Sequence, residues 1–317
     1  MYHPYFRGKQ FELIAIRESA PLLATSGFVP IIEPVRESLS GLERTLSALE
    51  MAGGECILVV NPHHGDHRKD SQYIAALVAE RRNQGSSSIL PGLLLRSNTP
   101  PQDALALVSA HTEERAAIIH AGFTDARLIA RALTGEMPVA KNIFVAEHTN
   151  MLYRRHFMDS PRILVRDGFE RKRNADYDEV DNFSDLHITH NDLGMNGYGD
   201  FLTVGDHYSE GGGPAYAVAI HLSYIDSDHD DAMFVYHFVS DTNDTPTDPA
   251  GKFGQALAKL ITRLDSGNSM LLESTAIAEF RDLHSKGHFP GLGYVKKLSI
   301  KHHLETLAHF HSTEAHA

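Results

Sequence analysis

The side chains with the most chemical reach stand at the ends of short apolar runs. Arg7 and Lys9 follow Tyr2-His3-Pro4-Tyr5-Phe6, Glu33 ends Pro30-Ile31-Ile32, and Asn61 ends Ile57-Leu58-Val59-Val60. Arg96 ends Gly92-Leu93-Leu94-Leu95, His120 ends Ala117-Ile118-Ile119, and Glu147 and His148 follow Ile143-Phe144-Val145-Ala146. Arg166 and Asp167 end Ile163-Leu164-Val165, and Asp206 and His207 close the run that begins at Phe201. The arginines suit bidentate binding of phosphate or carboxylate. Arg7, Lys9, Asn61, Arg96, His120, Arg166 and Asp206 are therefore the expected ligand-binding set. The carboxylates and imidazole can move protons once their pKa values are tuned. Glu33, Glu147, His148 and Asp167 are the expected catalytic set. The same residues admit a plainer reading, in which the arginines form rim ion pairs with Glu33, Glu37, Glu147 and Asp167.

A metal is the other chemistry that carboxylates and histidines offer. Magnesium takes carboxylate oxygens, and imidazole with carboxylate suits zinc or manganese. No His-Glu-x-x-His and no paired Cys-x-x-Cys is present, so no metal is assigned and the cofactor is left open. In Asn61-Pro62-His63-His64-Gly65-Asp66-His67 the two outer histidines are four apart, but the proline and glycine argue against a helix, leaving a loop at a strand end. Gly197-Tyr198-Gly199-Asp200 lacks the strand–turn–helix setting of a dinucleotide fingerprint. There is no P-loop and no serine or cysteine elbow.

What must position these tips is a repeated unit of strand, polar end and amphipathic helix. Strands are expected near 2–6, 29–33, 56–61, 89–96, 117–120, 142–147, 162–166 and 201–207, with helix-length stretches in most gaps. That is the pattern of an α/β fold of the (β/α)8 TIM-barrel-like type, whose functional residues gather at the strand C-terminal ends. Residues 170–199 break the repeat and read as a long loop between strands seven and eight. The barrel is expected over 1–210. Residues 211–317 are expected to add a β-hairpin and C-terminal helices packed on it within the same domain. The hairpin is signalled by two β-like runs joined through the acidic segment Asp226-Ser227-Asp228-His229-Asp230-Asp231, and a helix by Asp248-Pro249.

Composition narrows the partners. The chain has 317 residues, 41 acidic against 29 basic, and a formal net charge of −12, which opposes broad nonspecific adhesion to nucleic acid. No apolar run approaches the roughly 20 residues that span a bilayer, and no signal peptide is evident. With one cysteine, Cys56, no internal disulfide forms. A cytoplasmic protein without a membrane partner is expected.

The opening Tyr2-His3-Pro4-Tyr5-Phe6-Arg7-Gly8-Lys9-Gln10-Phe11-Glu12-Leu13-Ile14-Ala15, followed by Pro30-Ile31-Ile32-Glu33-Pro34-Val35, resembles the phage-type "Beta protein" family and its uncharacterised bacterial relatives. Gly199-Asp200-Phe201 and Gly205-Asp206-His207 are similar to that family's glycine–aspartate–aromatic segment, although tyrosine is more expected where His207 stands. The resemblance implies a barrel-like fold and a bacterial or phage setting, such as a mobile-element or phage-defence cassette with a partner encoded nearby. It supplies no catalytic residues. Three functions follow as expectations. The first is a barrel that binds or processes an anionic, phosphate-containing ligand. The second is a non-catalytic component that binds a protein partner. The third is a nucleic-acid sensor. Whether the barrel is an enzyme stays open.

Overall fold

The computed structural model describes residues 1–111, 115–133 and 139–314. The chain divides into two compact units. One joins Met1–Asp167 with Thr189–Phe201, and the other joins Gly168–Ile188 with the chain from Leu202 onward. This boundary differs from the one at residue 210 that the sequence suggests, because the stretch read as a loop supplies strands to both units.

The first unit is an eight-stranded parallel α/β barrel. Its strands are β1 (Tyr5–Phe6), β2 (Ile31–Ile32), β3 (Cys56–Val59), β4 (Ile89–Arg96), β5 (Ala116–Ala121), β6 (Val139–Val145), β7 (Arg162–Val165) and, after β8 (Val180–Ser184) of the other unit, β9 (Gly197–Gly199). They lie side by side in the order β1-β2-β3-β4-β5-β6-β7-β9. The ring closes between β9 and β1. His3 N–H donates to Tyr198 O at 2.8 Å, Tyr5 N–H to Asp200 O at 2.9 Å, and Tyr198 N–H to Met1 O at 3.1 Å. Two glycines permit this approach: a Cβ on Gly197 would stand 2.5 Å from Met1 O, and one on Gly199 2.1 Å from His3 O. The eighth barrel strand is thus 197–199, a correction to the expected 201–207, where Phe201 is followed by the 3-10 turn Leu202–Val204.

Side chains alternate across each strand. Tyr5, Ile31, Ile57, Ile119, Ile143 and Ile163 belong to one buried cluster inside the barrel. Each such aliphatic side chain contributes about 1.5–3 kcal/mol relative to exposure. The helices between the barrel strands are α1 (Gln10–Glu18), α2 (Ala20–Thr25), α3 (Ser40–Met51), α4 (Gln72–Asn83), α5 (Pro101–Ser109), α6 (Ala126–Leu133) and the short α7 (Met151–Arg154). They bury one face each, as with Leu42, Leu46 and Leu49 of α3.

The second unit holds β10 (Ala219–Asp226) and β11 (Ala232–Val239), an antiparallel hairpin, with β8 paired antiparallel to β11. Between β8 and β9 the chain makes the one-turn helix α8 (Leu186–Thr189). One face of the three-stranded sheet carries Ile220, Leu222 and Phe238 into a core with α9 (Pro249–Asp265), α10 (Thr275–Lys286) and α11 (Leu292–Glu314). Caps start two of these helices: the Asp248 carboxylate accepts from Gly251 N–H at 2.8 Å, and Ser274 Oγ from Ile277 N–H at 3.2 Å. No helix among the described residues is long and apolar enough to cross a membrane.

Candidate functional site

The interior row of the barrel changes character at the strand C-terminal ends. Two residues beyond interior Tyr5, Ile31 and Leu94 come Arg7, Glu33 and Arg96. Glu33 is fully buried and is the centre of the group. Its Oε2 accepts a hydrogen bond from Tyr5 OH at 3.1 Å and forms the ion pair with Arg7 Nη1. Its Oε1 accepts the backbone N–H groups of His63 at 2.8 Å and His64 at 3.0 Å. Burial works to raise the Glu33 carboxyl, but Arg7, His64 and the two backbone donors outweigh it and hold the group below the ordinary glutamate value. Both oxygens are therefore engaged in holding neighbours. Glu33, expected as a catalytic group, here fixes Arg7 and the loop after β3.

That loop is shaped by Gly65, whose φ of +75° and close approach to Val35 exclude a side chain: a Cβ would stand 2.1 Å from Val35 O. The rings of His63 and His64 meet edge to face at 4.8 Å. Burial first, then the cations nearby, lowers both imidazoles, His64 to about 4, so both are neutral at pH 7. Arg7 is tethered further by its backbone N–H to Glu12 Oε2 at 2.6 Å and lies 4.8 Å from the Tyr5 ring centroid and 5.3 Å from that of Phe201.

Arg96 completes the group. It is partly buried, and its charge is felt by Glu33's surroundings: burial lowers its pKa, Glu33 opposes that, and Arg7 adds to it. Its backbone N–H donates to Thr99 Oγ1 at 3.0 Å, while its guanidinium makes no hydrogen bond or ion pair among the described residues. Two guanidinium charges thus share one carboxylate, and the neutral histidines add none. Within this group of three side chains the cations outnumber the carboxylate, in a protein of net charge −12.

The other expected residues distribute as follows. Asn61 sits at the end of β3, where its amide bonds both backbone groups of Leu94, Nδ2 to O at 2.9 Å and Oδ1 from N–H at 2.8 Å. It extends the β3–β4 ladder and has little left for a ligand. His120 is turned away from the barrel interior, stacked on Phe144 at 4.8 Å, with Nδ1 at 2.9 Å from Tyr153 OH and Nε2 at 3.0 Å from Asn142 Oδ1. Both nitrogens are occupied and burial pushes it down to about 4, so it does not join the mouth. Arg166 shares the outward parity of Leu164, and Arg154 of α7 feels its charge. Lys9 precedes α1, where its charge acts on the buried Glu12 carboxyl. Glu147 and His148 lie exposed in the 3-10 turn Ala146–His148, and Glu147 Oε1 accepts Asp167 N–H at 3.1 Å, bringing those two acids together. Asp206 belongs to the second unit.

The structure adds Tyr5, His64 and Phe201 to the group. Tyr5 had a sequence signal, its spacing of two from Arg7 on one strand; His64 lay in the loop expected at the end of strand three and Phe201 at the start of an expected strand, but nothing in the sequence brought either to Arg7. Among the described residues no three histidine, cysteine or acidic side chains converge to hold a metal ion. Comparison with protein-family models, with curated proteins and with solved structures finds no match.

Proposed function

We propose that the barrel binds an anionic, phosphate-bearing ligand at its strand C-terminal mouth. The carrying observation is Arg96, a partly buried guanidinium with no hydrogen bond or ion pair among the described residues, next to an Arg7 already oriented by Glu33. A planar cation beside a second guanidinium is suited to two parallel N–H···O bonds with phosphate. Neutral His63 and His64 on the adjacent loop are suited to exchange a proton with such a ligand, and Glu147 with Asp167 offer carboxylates from other strand ends. Binding is the core of this reading; turnover is its extension.

The test is a thermal-shift titration of inorganic phosphate, nucleotides and phosphosugars against the wild type and Arg96→Ala. A ligand at a hundred times its Kd stabilises the folded chain by roughly 2.7 kcal/mol. The wild type is expected to melt higher with at least one of these ligands and Arg96→Ala to lose the response. A response that survives Arg96→Ala, or none with any of the three classes, removes the proposal.

A protein-binding role is the second reading. Met151 and Leu152 of α7 are each 70% exposed, and Met158 beyond them is 61% exposed. This accords with the partner encoded nearby that the resemblance to the Beta protein family implies. Co-purification from native cells, compared between the wild type and Leu152→Asp, tests it: recovery of the same specific partner with both chains removes it.

A further inference from the structure

We propose that His221 in the second unit is a phosphoryl-acceptor site. Its Nε2, at the end of an Asp181–His237–His221 chain and within the field of the Lys296 ammonium, takes a phosphoryl group from a donor of the phosphoramidate or acyl-phosphate class. The inference stands on the second unit alone and is independent of the reading of the barrel mouth.

His221 and His237 are direct cross-strand partners on β10 and β11, and their Nδ1 atoms are 2.6 Å apart. At that distance one nitrogen carries the proton and the other accepts it. Asp181 decides which. Its Oδ2 stands 3.3 Å from His237 Nε2, out of line for a full hydrogen bond, and 2.9 Å from Lys172 Nζ. An ionised carboxylate favours the tautomer that puts the His237 proton on Nε2. His237 Nδ1 is then the acceptor, His221 Nδ1 is the donor, and the lone pair of His221 falls on Nε2. That atom has no hydrogen bond among the described residues, and His221 is partly exposed.

The surroundings hold this arrangement. Tyr177 stacks on His237 with centroids 4.3 Å apart, and the Phe169 ring meets His221 edge to face at 4.9 Å. Burial, the neighbouring His237 and the charge of Lys296 all keep the His221 ring unprotonated at neutral pH, which is the nucleophilic state. Lys296 is exposed and makes no ion pair or hydrogen bond among the described residues, so its ammonium is available to an incoming phosphoryl group.

In the step itself the Nε2 lone pair attacks phosphorus and forms an N–P bond. The bond from phosphorus to the donor's nitrogen or carboxylate oxygen breaks, and the leaving group departs with that electron pair, as ammonia when the donor is zwitterionic phosphoramidate. The positive charge left on the ring is relieved by passing the Nδ1 proton to His237 Nδ1, where Asp181 faces the resulting imidazolium.

The experiment incubates the full chain with phosphoramidate at neutral pH and follows each histidine by site-resolved mass spectrometry. Exposed His284, His288 and His309 serve as internal references among the 21 histidines. His221 is expected to react about a hundredfold faster than the references, the lower end of general acid–base assistance, and to give an acid-labile, alkali-stable adduct. Asp181→Asn and Lys296→Gln are each expected to slow His221 toward the reference rate and leave the references unchanged. A His221 no faster than the references overturns the proposal. So does an unaltered His221 rate in Lys296→Gln, a change at an exposed position that leaves the fold intact, whatever the folding of Asp181→Asn.

Discussion

The two ends of the barrel each bury a cation, and the neighbours they give it differ in kind. At the mouth Arg7 meets the carboxylate of Glu33, which in turn collects Tyr5 OH and two backbone N–H groups. At the opposite end Lys141, on the interior face of β6, meets an imidazole: its Nζ is 3.0 Å from His3 Nε2 and 3.7 Å from Met1 Sδ. His3 Nδ1 lies 3.3 Å from Met1 O, so that nitrogen is the donor, Nε2 accepts from Lys141, and the ring is neutral. Burial lowers the lysine, with Arg115 adding to and Glu55 opposing that effect. Arg7 is matched by a carboxylate, and Lys141 is merely tolerated. The barrel's cohesion should therefore depend on the cation at the mouth and be limited by the cation at the floor.

The largest test is to delete each mouth partner. Arg7→Met leaves Glu33 buried with its hydrogen bonds but without its counter-charge, and breaking a buried pair in this way costs about 3–5 kcal/mol. Urea denaturation followed by circular dichroism is expected to show a loss of that size; a loss below about 1 kcal/mol would mean the carboxylate is neutral or solvated. Tyr5→Phe removes one bond to the same Oε2 and is expected to cost about 1.5–3 kcal/mol, the range for hydrogen bonds to charged groups. If the two losses were equal, the ion pair would contribute no more than a hydroxyl.

How much of this was legible in the chain depends on what hides strand parity. The ring of strands could be read because apolar runs with polar tips recur at helix-spaced intervals. Arg7, Glu33 and Arg96 could be read as mouth residues for the same reason. His120 could not, because Ala117-Ile118-Ile119 is apolar on both faces, as buried parallel strands are, and an unbroken run does not say which residue points inward. The closing strand was invisible: Gly197-Tyr198-Gly199 has the composition of a turn, and its glycines are there for the close approach of β1. Val180-Asp181-Asn182-Phe183-Ser184 reads as loop because Asp181 and Asn182 put polar residues on both sides of the strand and hide its alternation. The hydrogen-bonding of Asn61 to Leu94 was equally beyond reach, since a polar tip looks the same whether it faces a ligand or a neighbouring backbone.

The contrast between the ends sharpens with pH. Burial and Lys141 hold His3 well below the ordinary histidine value. Its depressed folded pKa means that the unfolded chain takes up the proton first, so stability falls as pH drops below about 6.5. Glu33 is also depressed, but from the carboxylate range, so its contribution is present above about pH 4.3 and is lost only as pH falls through the lower folded value. Acid should thus act through His3 before it acts through Glu33, with His63 and His64 at the mouth depressed in the same direction as His3. His120 and His302, both near 4 by burial, steepen the same upper window, so His3 is isolated by substitution. Chemical denaturation between pH 7 and 5 is expected to show a shallower decline in His3→Gln than in the wild type. Parallel curves would mean that His3 is protonated at no cost.

The smallest effect is expected at Lys141 itself, and its sign carries the argument. Lys141→Met keeps the unbranched stem, removes a buried charge that has no carboxylate in hydrogen-bond contact among the described residues, and costs the neutral His3 ring one acceptor bond. Replacing a buried charge with an apolar group of similar volume is neutral to stabilising, here by about 1 kcal/mol. The same change of cation to methionine at Arg7 has the opposite sign, because there the partner left behind is itself charged. Measured side by side in one denaturant series, opposite signs would establish that the carboxylate, and not the depth of burial, decides what a cation does inside this barrel. A loss at Lys141 as large as that at Arg7 would mean that Glu55 acts on the lysine strongly enough to make the floor a charge-matched end as well.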